Sequence, residues 1–399
     1  MRVVCAPDSF KESMTALVAA EAMAEGVRRV VPGADCVVVP MADGGEGTVE
    51  ALQDALGGSP VSVGVHDALG RPATAAYTYV QERRLAVIEL AAASGLELID
   101  VADRDVLRAS TFGSGELIRD ALDRGARRFI VGIGGSATND AGAGLFAALG
   151  VRFLDASGAE LPAGGAALAR LTSVDLSGLD PRIAEAEFEV AVDVDNPLLG
   201  ARGASRVFGP QKGATEADVA FLDRALGQWA DVVEPAVGRA VRDLPGAGAG
   251  GGVGAGFAAL TRATLRPGVQ IVIDAVRLGE LVTGADLVLT GEGRIDVQTL
   301  SGKTPWGVAQ VAIEAGVPVV VLGGSVAPEA RALLDRGVTA LLSITRGATT
   351  LPAALADGPA NLADTAEAVV AVWAAARGGR QRRGSDYQDG GCSVVPPMP

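Results

Sequence analysis

Only three of the 34 basic residues in this sequence are lysine: Lys11, Lys212 and Lys303. Each stands in a segment punctuated by Gly, Ser or Pro, namely PDSFKES, FGPQKGA and LSGKTPWG. An ammonium is a compact point charge that a planar guanidinium cannot replace everywhere, least of all against a phosphoryl group in transfer. A composition driven towards Arg, Ala and Gly has cleared lysine from the rest of the chain, so the three survivors mark candidate anion sites. Asparagine is thinned in the same way. Two of its three copies, Asn139 and Asn196, fall in the loops GGSATND and DVDNP.

Acids accompany the lysines. APDSFKES places Asp8, Ser9 and Lys11 after the first apolar run, at the edge where open α/β sheets bind ligands. Asp8 and Ser13 could equally cap the helix that follows. MADGGEGT sets Asp43 and Glu46 around two glycines at a helix start. Carboxylates there suit Mg²⁺ held through water, or a proton taken from a hydroxyl; capping is the simpler alternative. GIGGSATNDAGAG, with Ser136, Asn139 and Asp140, offers converging N–H groups and a helix N-terminus to a phosphate or carboxylate. One long polar loop carries Asp193, Asp195, Asn196 and Lys212, and TGEGRIDVQTLSGKTPWG carries Glu292, Arg294, Asp296 and Lys303. Acids for Mg²⁺ and base work, lysines for moving charge and glycines for close backbone approach are the parts of phosphoryl transfer.

Familiar nucleotide motifs are absent. SGKT at 301–304 resembles the end of a Walker A loop, but Val297 stands where that motif needs glycine. The GxGxxG spacing at 246–251 follows RAVRDLP rather than a strand, so it does not read as a dinucleotide site. His66 is the only histidine and reads as structural, which removes His-based zinc and Ser/His or Cys/His chemistry. Cys5, Cys36 and Cys392 have neither metal nor disulfide spacing. A net charge of −14 repels nucleic acid. Mean hydropathy is +0.31, yet no unbroken apolar run is long enough to span a membrane, and MRVVCAPDSFKES lacks the apolar core of a signal peptide. The expectation is a cytoplasmic protein.

These loops need a scaffold. At 399 residues, 49% hydrophobic and 21% charged, the chain has material for two or three domains. Strand, helix and strand alternate from Arg2 to Pro40, with helices expected at 13–30 and 48–56. VSVGVHDALGRPATAAYTYVQERRLAVIEL reads as three strands in an antiparallel segment. Helix–strand alternation resumes near Thr111. A helix or helix pair is expected over 216–244, kinked or broken at Pro235, and QIVI reads as a strand. ADLVLTG, VPVVVLGG and TALLSIT read as buried parallel strands, with a closing helix over 362–376. The fold class is α/β with two α/β domains. A discontinuous, mostly parallel domain over 1–65 and 285–376 is interrupted by an inserted domain over 66–284, and a disordered tail covers 377–399.

The series APDSFKESMTA, MADGGEGT, GIGGSATND, DVDNPLLGARGAS, FGPQKGAT, PGAGAGGGVGAG, LRPG and GEGRIDVQTLSGKTPWGVA, in this order, resembles the bacterial glycerate kinase family. The likeness runs from about Met1 to Ala376. It implies ATP- and Mg²⁺-dependent phosphorylation of D-glycerate on a two-domain α/β scaffold. The product favoured is 2-phosphoglycerate, as in salvage of glycerate from glyoxylate or sugar-acid breakdown. Ala141 departs from the NDGGAG-like form of one motif, where glycine is expected; the change should only tighten a helix start. From residue type and loop position, Asp193 and Asp296 are candidate general bases and Lys11 a catalytic cation. Asp8, Ser9, Ser136, Asn139, Asn196, Lys212, Glu292, Arg294 and Lys303 are candidate substrate or phosphate contacts, with the carboxylate of glycerate expected in the grip of one of the Gly/Ser loops together with Arg294 or Lys11. Asp43 is the candidate Mg²⁺ ligand. The alternatives are a kinase of another short hydroxy acid, or a sugar-acid sensor without turnover. Expected partners are small molecules, with no nucleic acid or membrane and room for a homodimer.

Overall fold

The computed structural model describes residues 1–45 and 47–383; Glu46, Cys392 and the rest of 384–399 lie outside them. Strands β1 (Arg2–Cys5) and β2 (Asp35–Val38) flank the helix Ala16–Val30, whose arginines Arg28 and Arg29 occupy its last turn and suit the helix dipole. The chain then leaves this layer. After the helix Thr48–Leu56 come β3 (Ser59–His66), β4 (Pro72–Val80), β5 (Leu85–Glu89) and β6 (Arg128–Gly132), a small hairpin of β7 (Arg152–Leu154) and β8 (Ser173–Asp175), then β9 (Glu187–Ala191) and β10 (Thr264–Arg266). It returns with β11 (Leu287–Ile295), β12 (Val319–Val326) and β13 (Ala340–Ser343).

Two sheets result. The first has the order β13-β12-β11-β1-β2 and is parallel throughout. The second has the order β10-β9-β6-β5-β4-β3, parallel across β10, β9, β6 and β5 and antiparallel across β5, β4 and β3. The antiparallel part is the segment whose alternation reads as three strands.

Sheet membership changes at 58/59 and again after Arg266, so the expected boundary at 65/66 falls inside β3. The apolar core is not split along those lines. One buried cluster joins Val4 of β1 and Val319 of β12 to Val87 of β5 and Ile130 of β6, with the helices Thr48–Leu56 and Gly268–Val276 in the same cluster. A second core fills the other face of the six-stranded sheet, and a third lies under the helix Ala16–Val30 and the long helix Gly358–Arg383.

Three expectations need correction. QIVI is helical, within Gly268–Val276: its apolar run suits either period, and Val269, Val272 and Val276 all face the core. The helix Glu216–Val237 runs through Pro235 without breaking there and stops at Gly238, whose φ of 69° ends it. The closing helix continues to Arg383, past the expected start of the tail.

Candidate active site

In a parallel sheet every strand ends on the same edge, so the loops after β1, β2, β6 and β9 bring their side chains to one side. The two sheets meet along that edge at Asp43–Gly45. Gly44, with φ of 92°, fits because a Cβ there would stand 2.7 Å from Cα of Gly268 and 2.8 Å from Cβ of Ala191. A Cβ on Gly268 would lie 2.1 Å from the carbonyl oxygen of Asp43. Backbone touches backbone across the seam, and only glycine permits it.

A cleft of about 780 Å³ runs along this seam. Asp8, Asp43, Asp193 and Glu292 line it, together with Lys11 and Lys303. Its far wall is apolar, from Phe10, Ile344, Leu351 and Leu355. A smaller recess of about 160 Å³ lies on the other side of Asp193, walled by Gly45, Gly134, Gly135, Gly250, Ser136 and Lys212. Asp193 and Gly45 border both spaces. All three lysines of the chain therefore face one or the other.

Crowding sets the electrostatics. Asp8 is pushed up to about 6, first by burial and then by the charge of Asp43; the hydroxyl of Thr304 and the N–H of Ser9 pull the other way. Glu292, 8% exposed, is pushed up to about 7 by burial, while the hydroxyl of Thr299, donated at 2.7 Å, and Lys303 oppose the shift. Lys303 Nζ stands 4.0 Å from Glu292 Oε2, at the N-terminus of the helix Thr304–Glu314. Asp193 opens onto the cleft, yet the surrounding protein thins its solvent enough to raise it to about 6. Its Oδ1 accepts the N–H of Gly268 at 3.0 Å, which fixes the carboxylate and leaves Oδ2 for a ligand. Carboxylates with raised pKa values in a cleft are the groups expected to take protons near neutrality.

Other candidates are held by partners within the chain or lie away from the two spaces. Asp296 lines the cleft, but its Oδ1 accepts the N–H of Gln298 at 2.8 Å and its Oδ2 pairs with Arg294 at 3.1 Å. It stabilises a turn, and Arg294 is 72% exposed. Asn139 lines neither space: it is buried and donates to Ser205 Oγ at 2.9 Å. Asn196 holds the carbonyl of Arg202 at 2.7 Å. Asp140 accepts from Thr111, Gly142 and Gly144, so the helix-start part of the cradle expected after β6 is filled by this chain's own carboxylate, while its Gly134, Gly135 and Ser136 part lines the recess. Ala141 does not start a helix. It has φ of 52°, in the left-handed region that favours glycine, and the helix begins at Ala143. His66 lies outside the site, with Nδ1 3.1 Å from Glu116 Oε2.

Sequence reasoning passed over Thr304 as a positioning group and the apolar wall of the cleft entirely. Leu351 and Leu355 come from the short helix Leu351–Ala356 and carry no chemical signature that would mark them, while Asn361, the third asparagine, sits in the last helix rather than in a Gly-marked loop. Among the described residues no three His, Cys, Asp or Glu side chains converge as a complete metal cage.

The pattern describing the Glycerate kinase family matches residues 3–374. A glycerate kinase from Bacillus subtilis is 51% identical over 88% of this chain and 92% of its own. A glycerate kinase from Halalkalibacterium halodurans is 48% identical over 93% and 98%, and a glycerate 2-kinase from Escherichia coli is 45% identical over 94% and 98%. A crystal structure from Salmonella typhimurium LT2 that carries the name glycerate kinase 2 superposes with a TM-score of 0.88 at 46% identity, covering 96% of this chain and 99% of that one.

Proposed function

The chain belongs to the glycerate kinase family, and we propose that it transfers the terminal phosphoryl group of ATP to the 2-hydroxyl of D-glycerate at Asp193, giving 2-phosphoglycerate. The observation that carries this reading is that Asp193 borders both a large cleft and a small recess. A nucleotide fits the cleft, with its base towards Phe10, Ile344, Leu351 and Leu355 and its phosphates towards Lys11, Lys303 and the helix N-terminus behind Lys303. A three-carbon acid fits the recess. The choice of hydroxyl follows the name of the Escherichia coli relative.

Asp193 then faces the attacking hydroxyl. Its carboxylate holds that hydroxyl in line and accepts its proton late in transfer, when the oxygen has become acidic. The bond from Gly268 keeps the carboxylate aimed through the step. Lys303 carries charge to the moving phosphoryl oxygens, and Glu292 holds Lys303 in place. The apolar far wall and the close seam at Gly44 keep water from the γ-phosphate.

The donor set fits Mg²⁺, which keeps several waters and takes only one or two carboxylates plus phosphate oxygens. Asp43 and Asp8, close enough for the charge of one to raise the other, are the residues that would hold it. When bound, the ion supplies neutralisation of phosphate charge. The cytoplasm, where ATP is plentiful, is the compartment this reading requires.

The test is ³¹P NMR of the purified chain with Mg-ATP and D-glycerate, alongside L-glycerate and acceptor-free controls. A new phosphomonoester matched by ADP is the expected result, its phosphorus coupled to a single methine proton. Coupling to a methylene pair would move the reaction to the 3-hydroxyl. ADP without a phosphoglycerate would exclude the transfer altogether.

A further inference from the structure

Lys212 is a buried cation without a counter-ion. Its residue is 3% exposed, and Nζ donates to two neutral acceptors, Ser136 Oγ at 2.9 Å and the carbonyl of Thr138 at 2.7 Å. Asp140, on the loop against which it packs, is the carboxylate whose charge it feels, but that group is spent on Thr111, Gly142 and Gly144. Arg104 donates to the neighbouring carbonyl of Gln211, and Asp193 stands at the mouth of the recess. No described carboxylate lies within 4.0 Å of Nζ. An ammonium taken out of water with only dipoles around it is costly.

The rest of the recess is built to receive something. Gly45, Gly134, Gly135 and Gly250 contribute only backbone, and among the side chains that line the space Lys212 is the one cation, beside apolar groups such as Val192 and Phe208. At about 160 Å³ the space matches a small acid and excludes a nucleotide. Its opening is at Asp193, where the reacting hydroxyl belongs.

We propose that this recess is the carboxylate subsite of the phosphoryl acceptor, that the acceptor's carboxylate is the missing counter-ion of Lys212, and that Lys212 thereby selects hydroxy acids over neutral polyols. The proposal rests on the transfer reading above and assigns the carboxylate to Lys212 rather than to Arg294 or Lys11. Arg294 is too exposed to discriminate, and Lys11 stands on the cleft side of Asp193. Without ligand, burial brings Lys212 down to about 7. An anion beside Nζ restores the charged form, so binding above that pH draws a proton from solvent.

Two measurements test this. On the native chain, calorimetric titration of D-glycerate at about pH 8, in buffers of different ionisation heat, should show net proton uptake. Zero uptake there overturns the proposal. In Lys212→Met, KM for D-glycerate should rise roughly 100-fold while KM for ATP stays within a factor of about two. The preference for glycerate over glyceramide, its neutral amide, should collapse as well. An unchanged KM for glycerate overturns the assignment, and a rise confined to ATP makes Lys212 a phosphate ligand instead. Phosphoglycerate formed by the native chain separates these outcomes from failure of the transfer reading, and the calorimetric arm stands even if the variant does not fold.

Discussion

The hydroxyl of Thr304 donates to Oδ2 of Asp8 at 2.5 Å, joining residues 296 positions apart in sequence. The bond ties the loop after β1 to the first turn of the helix Thr304–Glu314, and so fixes Lys303 relative to Asp8. It also opposes the burial that raises Asp8.

Thr304→Val removes that donor and keeps the volume. Asp8 should move above about 6, carrying the acid side of the pH–rate profile upward. Leaving a buried carboxylate short of a donor should cost about 1–2 kcal/mol of stability, read by denaturant unfolding. An unmoved profile would separate Asp8 from turnover.

Asp193→Asn should fold normally, because the amide oxygen still accepts the N–H of Gly268. Its kcat should fall roughly 10²–10⁴-fold, the usual worth of a positioned acid or base. In the native chain activity should decline as pH drops through about 6, where Asp193 takes up its proton. Asp296→Asn, in a residue spent on a turn, should leave kcat within a few-fold. Full activity in Asp193→Asn removes that residue from the base role.

Glu292 is raised from 4.5 to about 7, so the folded state holds its proton longer than the unfolded state. The stability associated with the protonated form is present below about 4.5 and lost as pH climbs through about 7. Glu292→Gln should therefore be more stable than the native chain at about pH 8, by on the order of 2 kcal/mol, and no more stable at about pH 4. Paired unfolding curves at the two pH values check the sign. The cleft keeps this acid at a cost to the fold because Lys303 is held against it.

Gly251 has φ of 73°, and a Cβ there would lie 2.0 Å from the carbonyl oxygen of Thr138, an acceptor of Lys212. Gly64 has ordinary φ and open space around its Cβ position. Gly251→Ala should lose several kcal/mol or fail to accumulate folded, whereas Gly64→Ala should stay within about 1 kcal/mol. Thermal melts of the pair distinguish a conformational need from a mere run of glycines.

The sequence disclosed most where residue type was scarce or punctuation strong. Three lysines amid arginines led to the two spaces because no compositional drift explains their survival. The antiparallel strands showed in their alternation and turns. What stayed hidden depends on three-dimensional neighbours. Asp140 and Asp193 are both acids after a buried strand, yet one meets its own chain's N–H groups and the other meets a cleft. Ala141 reads as a helix residue until its φ of 52° shows a position glycine would fill without strain. QIVI is a helix because Val269, Val272 and Val276 have a core to face, which local pattern cannot reveal.

The pairing of β1 with β11 has a consequence for how the molecule is made. Ala6 accepts from Thr290, 284 positions later, so the first strand laid down by the ribosome waits for most of the chain before its central neighbour exists. The six-stranded sheet lies wholly within that interval, so its strands all exist while the N-terminal strand has only β2 beside it and its other edge is open. The cleft, whose carboxylates come from both sheets, is thus the last feature to be assembled. A ribosome stalled before β11 would release a chain lacking part of the core that the two sheets share and carrying an open strand edge at β1, a nucleus for aggregation rather than a partial kinase.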